Sequence, residues 1–315
     1  MRFIKYPHSI KSCDGVHTLN GVIYIPIGTV KATVQIIHGM CEHIELYDVF
    51  MSRLAENGFA AFCFDQLGHG KTAGGAEGLG FIADENGAQL LISDAHEFSK
   101  EFLPDYKGVP HFLFGHSMGS FTARICSERF PEMADGLILA GTSGVQRAAH
   151  LGIAVTDVKS LVQGGEHRSE SAQRIFYDIF NAAFRKEARD YSWLSTDRDV
   201  IAEHENDPLF NFTYSVGAMN DVVRLCMMCS EDSWFENYRR GLPALIISGE
   251  NDPLGNFGKG ALEVYKRIEA VSPGSAAFKL YRAARHELLH EYCTSAVIED
   301  ILTWLCKQAA ASAAG

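Results

Sequence analysis

In FLFGHSMGSF, residues 112–121, an alcohol interrupts an apolar run, and Ser117 stands between Gly115 and Gly119. G-x-S-x-G between a strand and a helix is the pattern of a nucleophile on a turn too tight for a Cβ on either side. A serine hydroxyl attacks a carbonyl only with a base beside it and an acid to orient that base. The expected chain order is serine, acid, histidine. LIISGENDP offers Asp252 just past one apolar run, and FKLYRAARHELLHE offers His286 just past the next. Glu250 is a rival acid nearer its strand end, and His290 a rival base one helical turn further on. Loop position favours Asp252 and His286. Two backbone donors complete such chemistry by holding the developing oxyanion. Met118, following the nucleophile, supplies one N–H. In QIIHGMCEH, where His38-Gly39 lets the chain turn, Met40 supplies the other.

These residues need a sheet whose strand ends lie along one edge. Eight strand-like runs are present: 2–10 and 16–25, joined at Asp14-Gly15, then 32–39, 59–65, 109–115, 136–141, 242–249 and 276–281. Helical patterns at 46–57, 87–103, 119–129, 257–271 and 288–308 alternate with them. Continuous apolar strands between helices predict an α/β fold with a mostly parallel sheet covered on both faces. Ser117, Asp252 and His286 then share the carboxyl edge, where such sheets bind ligands. The alternation fails over 144–240, which reads as an inserted helical cap on a core of 1–143 and 241–308. The alanine-rich tail, 309–315, reads as disordered.

The cap carries an apolar helical stripe in RIFYDIFNAAF, followed by scattered aromatics and methionines. Most of these pack the cap onto the core. Phe176, Phe180, Trp193, Phe212 and Met219 are expected to line an apolar chamber above Ser117, suited to an acyl chain. Cys226 and Cys229 form C-x-x-C within a helix, away from the strand-to-helix position of a redox motif, and read as packing residues. Cys41 lies in the oxyanion turn, so its modification is expected to block the pocket. His38, His43, His69 and His116 cluster on the active-site loops without metal-ligand spacing, and read as hydrogen-bonding partners. LGHG, 67–70, lacks the lysine and helix of a phosphate loop.

The net charge of −11 argues against nucleic acid and anionic membrane surfaces as partners. No apolar run is long enough to span a membrane, and the N-terminus has no secretory pattern. Eight cysteines at irregular spacing suit free thiols in the cytoplasm. The chemistry requires no cofactor and no metal, only a small ester substrate.

HGMCEH, FDQLGHGKT, GHSMGS, SGENDP and RHELLHE occur in that order, and together the chain resembles an α/β-hydrolase. It is similar to the monoacylglycerol lipase / lysophospholipase-like branch grouped with serine aminopeptidases, and GNFGKG after Asp252 looks like bacterial members. The resemblance implies the eight-stranded α/β-hydrolase fold and Ser117, Asp252 and His286 as triad. It also implies Met40 and Met118 as oxyanion donors, with hydrolysis of monoacylglycerols, lysophospholipids or similar medium-chain esters. Two alternatives stay open. An aminopeptidase or amidase would use the same triad and an acid in the cap, with Glu203, Glu205 and Asp207 available to hold a substrate amine. A non-catalytic ligand-binding relative would typically have lost a triad member. Haloalkane dehalogenase and epoxide hydrolase chemistry would need aspartate at position 117.

Overall fold

The computed structural model describes residues 3–145, 164–187 and 190–314. Eight strands form one sheet: β1 Phe3–Lys11, β2 Thr18–Pro26, β3 Ala32–Ile37, β4 Phe59–Phe64, β5 His111–His116, β6 Gly136–Ala140, β7 Ala244–Gly249 and β8 Ala276–Tyr281, in the order β1-β2-β4-β3-β5-β6-β7-β8. β2 pairs antiparallel with both β1 and β4, and every pairing from β4 to β8 is parallel. The expected mostly parallel α/β sheet is therefore the observed one.

β3 to β7 are buried along their whole length because both faces are covered, and their period of two divides their side chains between the faces, whereas the edge strands β1 and β8 are largely exposed or half-buried. Phe112, Phe114, Ile138 and Ile247 pack on one side, against Phe50, Met51 and Leu54 of α1 (Asp48–Glu56) and Val297, Ile301 and Leu305 of the C-terminal helix. Leu113, Leu137, Leu139 and Ile246 face the other side. There they meet α2 (Gly87–Phe102) and α3 (Met118–Arg129). The segment between β6 and β7 holds α4 (Glu170–Phe180), α5 (Arg198–Asn206), α6 (Val216–Ser230) and α7 (Asp232–Glu236). Positions 146–163 and 188–189 of the expected cap lie outside the described residues. Beyond β7 come α8 (Lys259–Val271) and α9 (Thr294–Ala314).

Two expectations need correction. The closing helix begins at Thr294 rather than 288, because residues 288–290 form a separate 3₁₀ turn. The alanine-rich tail is helical to Ala314 rather than disordered from 309. Alanine carries the highest intrinsic helix propensity, so a helix already anchored by Ile301 and Leu305 propagates through it.

Candidate active site

β5 runs straight into Ser117, and α3 starts on the next residue. Ser117 has φ 51° and ψ −120°, a conformation that costs a non-glycine residue about 1–3 kcal/mol. The surroundings enforce it. A Cβ on Gly115 would run into the Gly119 carbonyl, and one on Gly119 into the Ile37 carbonyl of β3. Both glycines are thus close-approach positions that let strand and helix meet at the serine.

Asp252 lies in the turn after β7, and His286 in the loop after β8. Both are buried, and His286 Nδ1 is 3.0 Å from Asp252 Oδ2. The two atoms are at hydrogen-bond distance without hydrogen-bond alignment. Asp252 Oδ1 accepts the Leu254 N–H at 2.9 Å, which fixes the carboxylate. His286 Nε2 has no partner among the described residues. Ser117 and His286 line the same cavity. The rivals point elsewhere. Glu250 is exposed and accepts the Ala283 N–H, while His290 Nε2 reaches the Leu46 carbonyl at 3.0 Å.

The cavity has a volume of about 440 Å³. Met40 and Met118 are both in its wall. The Met118 N–H is one of the unpaired donors at the start of α3. The turn before Met40 is held from several sides: Glu42 accepts the Gly39 N–H, and His38 Nδ1–H donates to the Gly39 carbonyl at 2.8 Å. His38 Nε2 accepts the Gln66 N–H at 3.0 Å, which sets the tautomer.

Of the five residues expected in the chamber wall, Phe176, Phe180 and Trp193 are there. Trp193 is sandwiched, with Phe180 4.8 Å away on one contact and the His286 ring 4.8 Å away on another. Phe212 and Met219 are not in the wall. Phe212 packs on Tyr214 and against His69, and half-buried Met219 packs against the edge of the core. Apolar side chains in a helical segment are equally suited to a cavity and to a core, and only the docking of the segment chooses. Cys226, by contrast, touches the cavity through its packing position on α6.

The polar side of the cavity escapes sequence reasoning. Glu42 and Glu287 line it, each paired with a buried histidine. Burial alone would raise the Glu42 carboxyl, but the facing His116 and the Tyr47 hydroxyl hold it below the usual range. Burial likewise works against a charged His116, yet Glu42 lifts it to about 9. His204 Nε2 is 2.7 Å from Glu287; burial opposes both charges, and their mutual attraction lowers the acid and raises the histidine. A glutamate three residues beyond the Gly39 turn was the available signal for the first pair. Nothing local marks the second, whose members come from α5 and the loop after β8. His43 joins Asp207 at 2.9 Å, and none of Glu203, Glu205 and Asp207 lines the cavity. Burial pushes the Cys41 thiol well up, so it is a poor nucleophile.

Mouse monoglyceride lipase is 24% identical over 92% of this chain and 87% of its own length. Monoacylglycerol lipase of Mycolicibacterium smegmatis is 22% identical, covering 95% of this chain and 96% of that protein. The crystal structure of a thermostable carboxyl esterase from Bacillus coagulans in complex with glycerol superposes with a TM-score of 0.91 at 28% identity, covering 97% of this chain and 99% of that one. The family described as serine aminopeptidase, S33, matches residues 28–292. The chain belongs to that family of α/β-hydrolases, on its monoglyceride-lipase-like branch, and is a serine hydrolase.

Proposed function

We propose that this enzyme cleaves carboxylic esters of apolar acids, monoacylglycerols foremost and lysophospholipid-like esters beside them, through an acyl-serine. The single observation that carries the reading is Ser117 on a strained turn, with the His286–Asp252 pair beside it, at the floor of a mainly apolar cavity of about 440 Å³. His286 Nε2 takes the Ser117 proton as Oγ attacks the ester carbonyl. Asp252 orients the ring and offsets its positive charge. The N–H groups of Met40 and Met118 hold the carbonyl oxygen as it becomes an oxyanion. The tetrahedral intermediate collapses, the alcohol leaves with the proton from His286, and the acid stays on Ser117. Water, deprotonated by His286, repeats the sequence and releases the acid. The names of the relatives, lipases and an esterase, support an ester substrate.

The segment 144–240 acts as a cap over a core of 1–143 and 241–308, since Phe176, Phe180 and Trp193 come from it. Amide hydrolysis at a free amino terminus is disfavoured. The acids expected to hold the amine lie off the cavity, and the two carboxylates that do line it are occupied by His116 and His204. Eight free thiols support a reducing cytoplasm. Among the described residues no helix is long and apolar enough to cross a membrane, and the acidic charge disfavours nucleic acid. The deciding experiment is Ser117→Ala on a monoacylglycerol and a p-nitrophenyl ester. Turnover falls at least about 10⁴-fold, and a fluorophosphonate labels Ser117 in the unsubstituted enzyme. Full turnover by the variant, or faster cleavage of a proline naphthylamide than of the monoglyceride, sinks the reading.

A further inference from the structure

Cys41 follows Met40 in the turn after β3 and has φ 65°, in the left-handed region that a β-carbon disfavours. Its N–H is held by a side chain remote in sequence, the hydroxyl of Tyr214, at 3.2 Å. Tyr214 belongs to the segment between β6 and β7, just before α6, and is completely buried. Its hydroxyl also meets His69 Nε2. The direction of that bond can be fixed. His69 Nδ1–H donates to the Leu67 carbonyl at 2.9 Å, and burial pushes the imidazole down to about 3, so the ring is neutral. Nε2 is therefore an acceptor, Tyr214 O–H donates to it, and the hydroxyl lone pair is turned to the Cys41 N–H.

Tyr214 is itself held. Its N–H donates to Gln173 Oε1 at 2.8 Å, its ring stacks on Phe212, and the next residue donates to the Gly80 carbonyl at 2.8 Å. The peptide joining Gly39 to Met40 is fixed by His38 at its carbonyl. The peptide joining Met40 to Cys41 is fixed by Tyr214 at its N–H. With both flanking peptides held, the dihedrals of Met40 have no freedom, and its N–H keeps one direction.

We propose that Tyr214 is a positioning residue for the oxyanion hole, the brace by which the inserted segment holds the Met40 N–H on the reacting carbonyl. The proposal rests on the ester-hydrolase reading and adds a condition to it: an oxyanion donor of the core is aligned only while the insertion is docked.

The test is Tyr214→Phe, which keeps the ring and its stacking and removes the hydroxyl alone. A displaced oxyanion donor weakens transition-state binding far more than substrate binding. The variant is expected to lose about 10- to 100-fold in kcat with KM within about 2-fold. Affinity for an alkyl boronic acid, which forms a tetrahedral anion on Ser117, falls in parallel. Affinity for a non-hydrolysable glycerol monoalkyl ether is unchanged. Unchanged kcat and unchanged boronate affinity overturn the proposal, whatever happens to the melting temperature. Should Tyr214→Phe not fold, His69→Phe leaves Tyr214 in place but removes the acceptor that orients its hydroxyl. A fall in kcat with KM retained supports the brace, and an unaltered kcat overturns it. Fluorophosphonate labelling of Ser117 in the unsubstituted enzyme separates the two levels. If labelling is absent the hydrolase reading fails; if it is present and the variants are fully active, only the brace fails.

Discussion

At the scale of single residues, the site depends on which of several similar side chains has the right neighbours. Two acids follow β7 within three residues, and only Asp252 is buried beside His286 while Glu250 faces solvent. Asp252→Asn is expected to lower kcat about 10⁴-fold: with Oδ1 held by the Leu254 N–H, the amide NH2 faces His286 Nδ1 and donates to it, which fixes the wrong tautomer and removes the charge opposite the protonated ring. Glu250→Gln should leave kcat within about 2-fold, since an amide oxygen can still accept the Ala283 N–H. Steady-state kinetics on one p-nitrophenyl ester decides between the two acids, and equal losses would contradict the assignment. Phe180 is proposed to touch the substrate in its ground state. It stacks on Trp193 in the cavity wall, so Phe180→Ala should raise KM for a medium-chain ester about 10-fold with kcat within about 3-fold.

At the scale of elements, the decisive feature is the approach of α3 to β3 and β5. Gly119 lies so close to the Ile37 carbonyl that no side chain fits. The helix cannot retreat without carrying Met118 away from the serine. Gly119→Ala is therefore expected to lose about 3 kcal/mol of stability, the upper end of the usual cost of overpacking, because the Cβ meets backbone that cannot rotate away. A urea titration measures it, and a loss below about 1 kcal/mol would show that the elbow is looser than its geometry. The elements of the core were legible because their signals are local. Apolar runs of strand length, glycines at close approaches and helix patterns between them fall at the observed places, with boundaries off by a few residues. The start of α9 was misplaced because Leu288, Leu289 and His290 continue an apolar pattern that the loop's contacts interrupt with a 3₁₀ turn.

At the scale of the whole molecule, buried histidines of two kinds set the pH dependence of stability. His38, His69 and His111 are held neutral, chiefly by burial, the last two down to about 3. Their folded values lie below the unfolded value of about 6.5. The unfolded chain therefore binds more protons as pH falls below that point, and stability declines. Glu42 and Glu287, depressed by their histidines, add to this loss below about 4.3. Asp94 and Asp221, which burial raises, the latter to about 6, work the other way between about 4 and 6 and take up part of the slope. His116, raised to about 9, and His204, also raised, favour the folded state fully below about 6.5, and that contribution is lost as pH climbs. The melting temperature should peak near about pH 6.5 and fall on both sides, and His116→Gln should flatten the alkaline limb. A scan from pH 4 to 9 with both proteins tests this; an alkaline limb unchanged by the substitution would refute the role given to His116.

The sequence by itself determined the turn at Ser117, the α/β order and the positions after β7 and β8 where an acid and a histidine would converge. Those features follow from backbone sterics and short-range patterning, which one stretch of chain expresses alone. Only the tertiary structure decided which aromatics line the cavity, that Glu42 and Glu287 meet His116 and His204, and that Tyr214 reaches the turn after β3. Each of those contacts joins segments far apart in sequence: Tyr214 and Cys41 are 173 residues apart. Burial and partner charge then give these residues properties that their identities do not carry. Phe212 and Phe180 are the same residue in the segment between β6 and β7, and docking alone stacks one on Tyr214 and puts the other into the cavity wall.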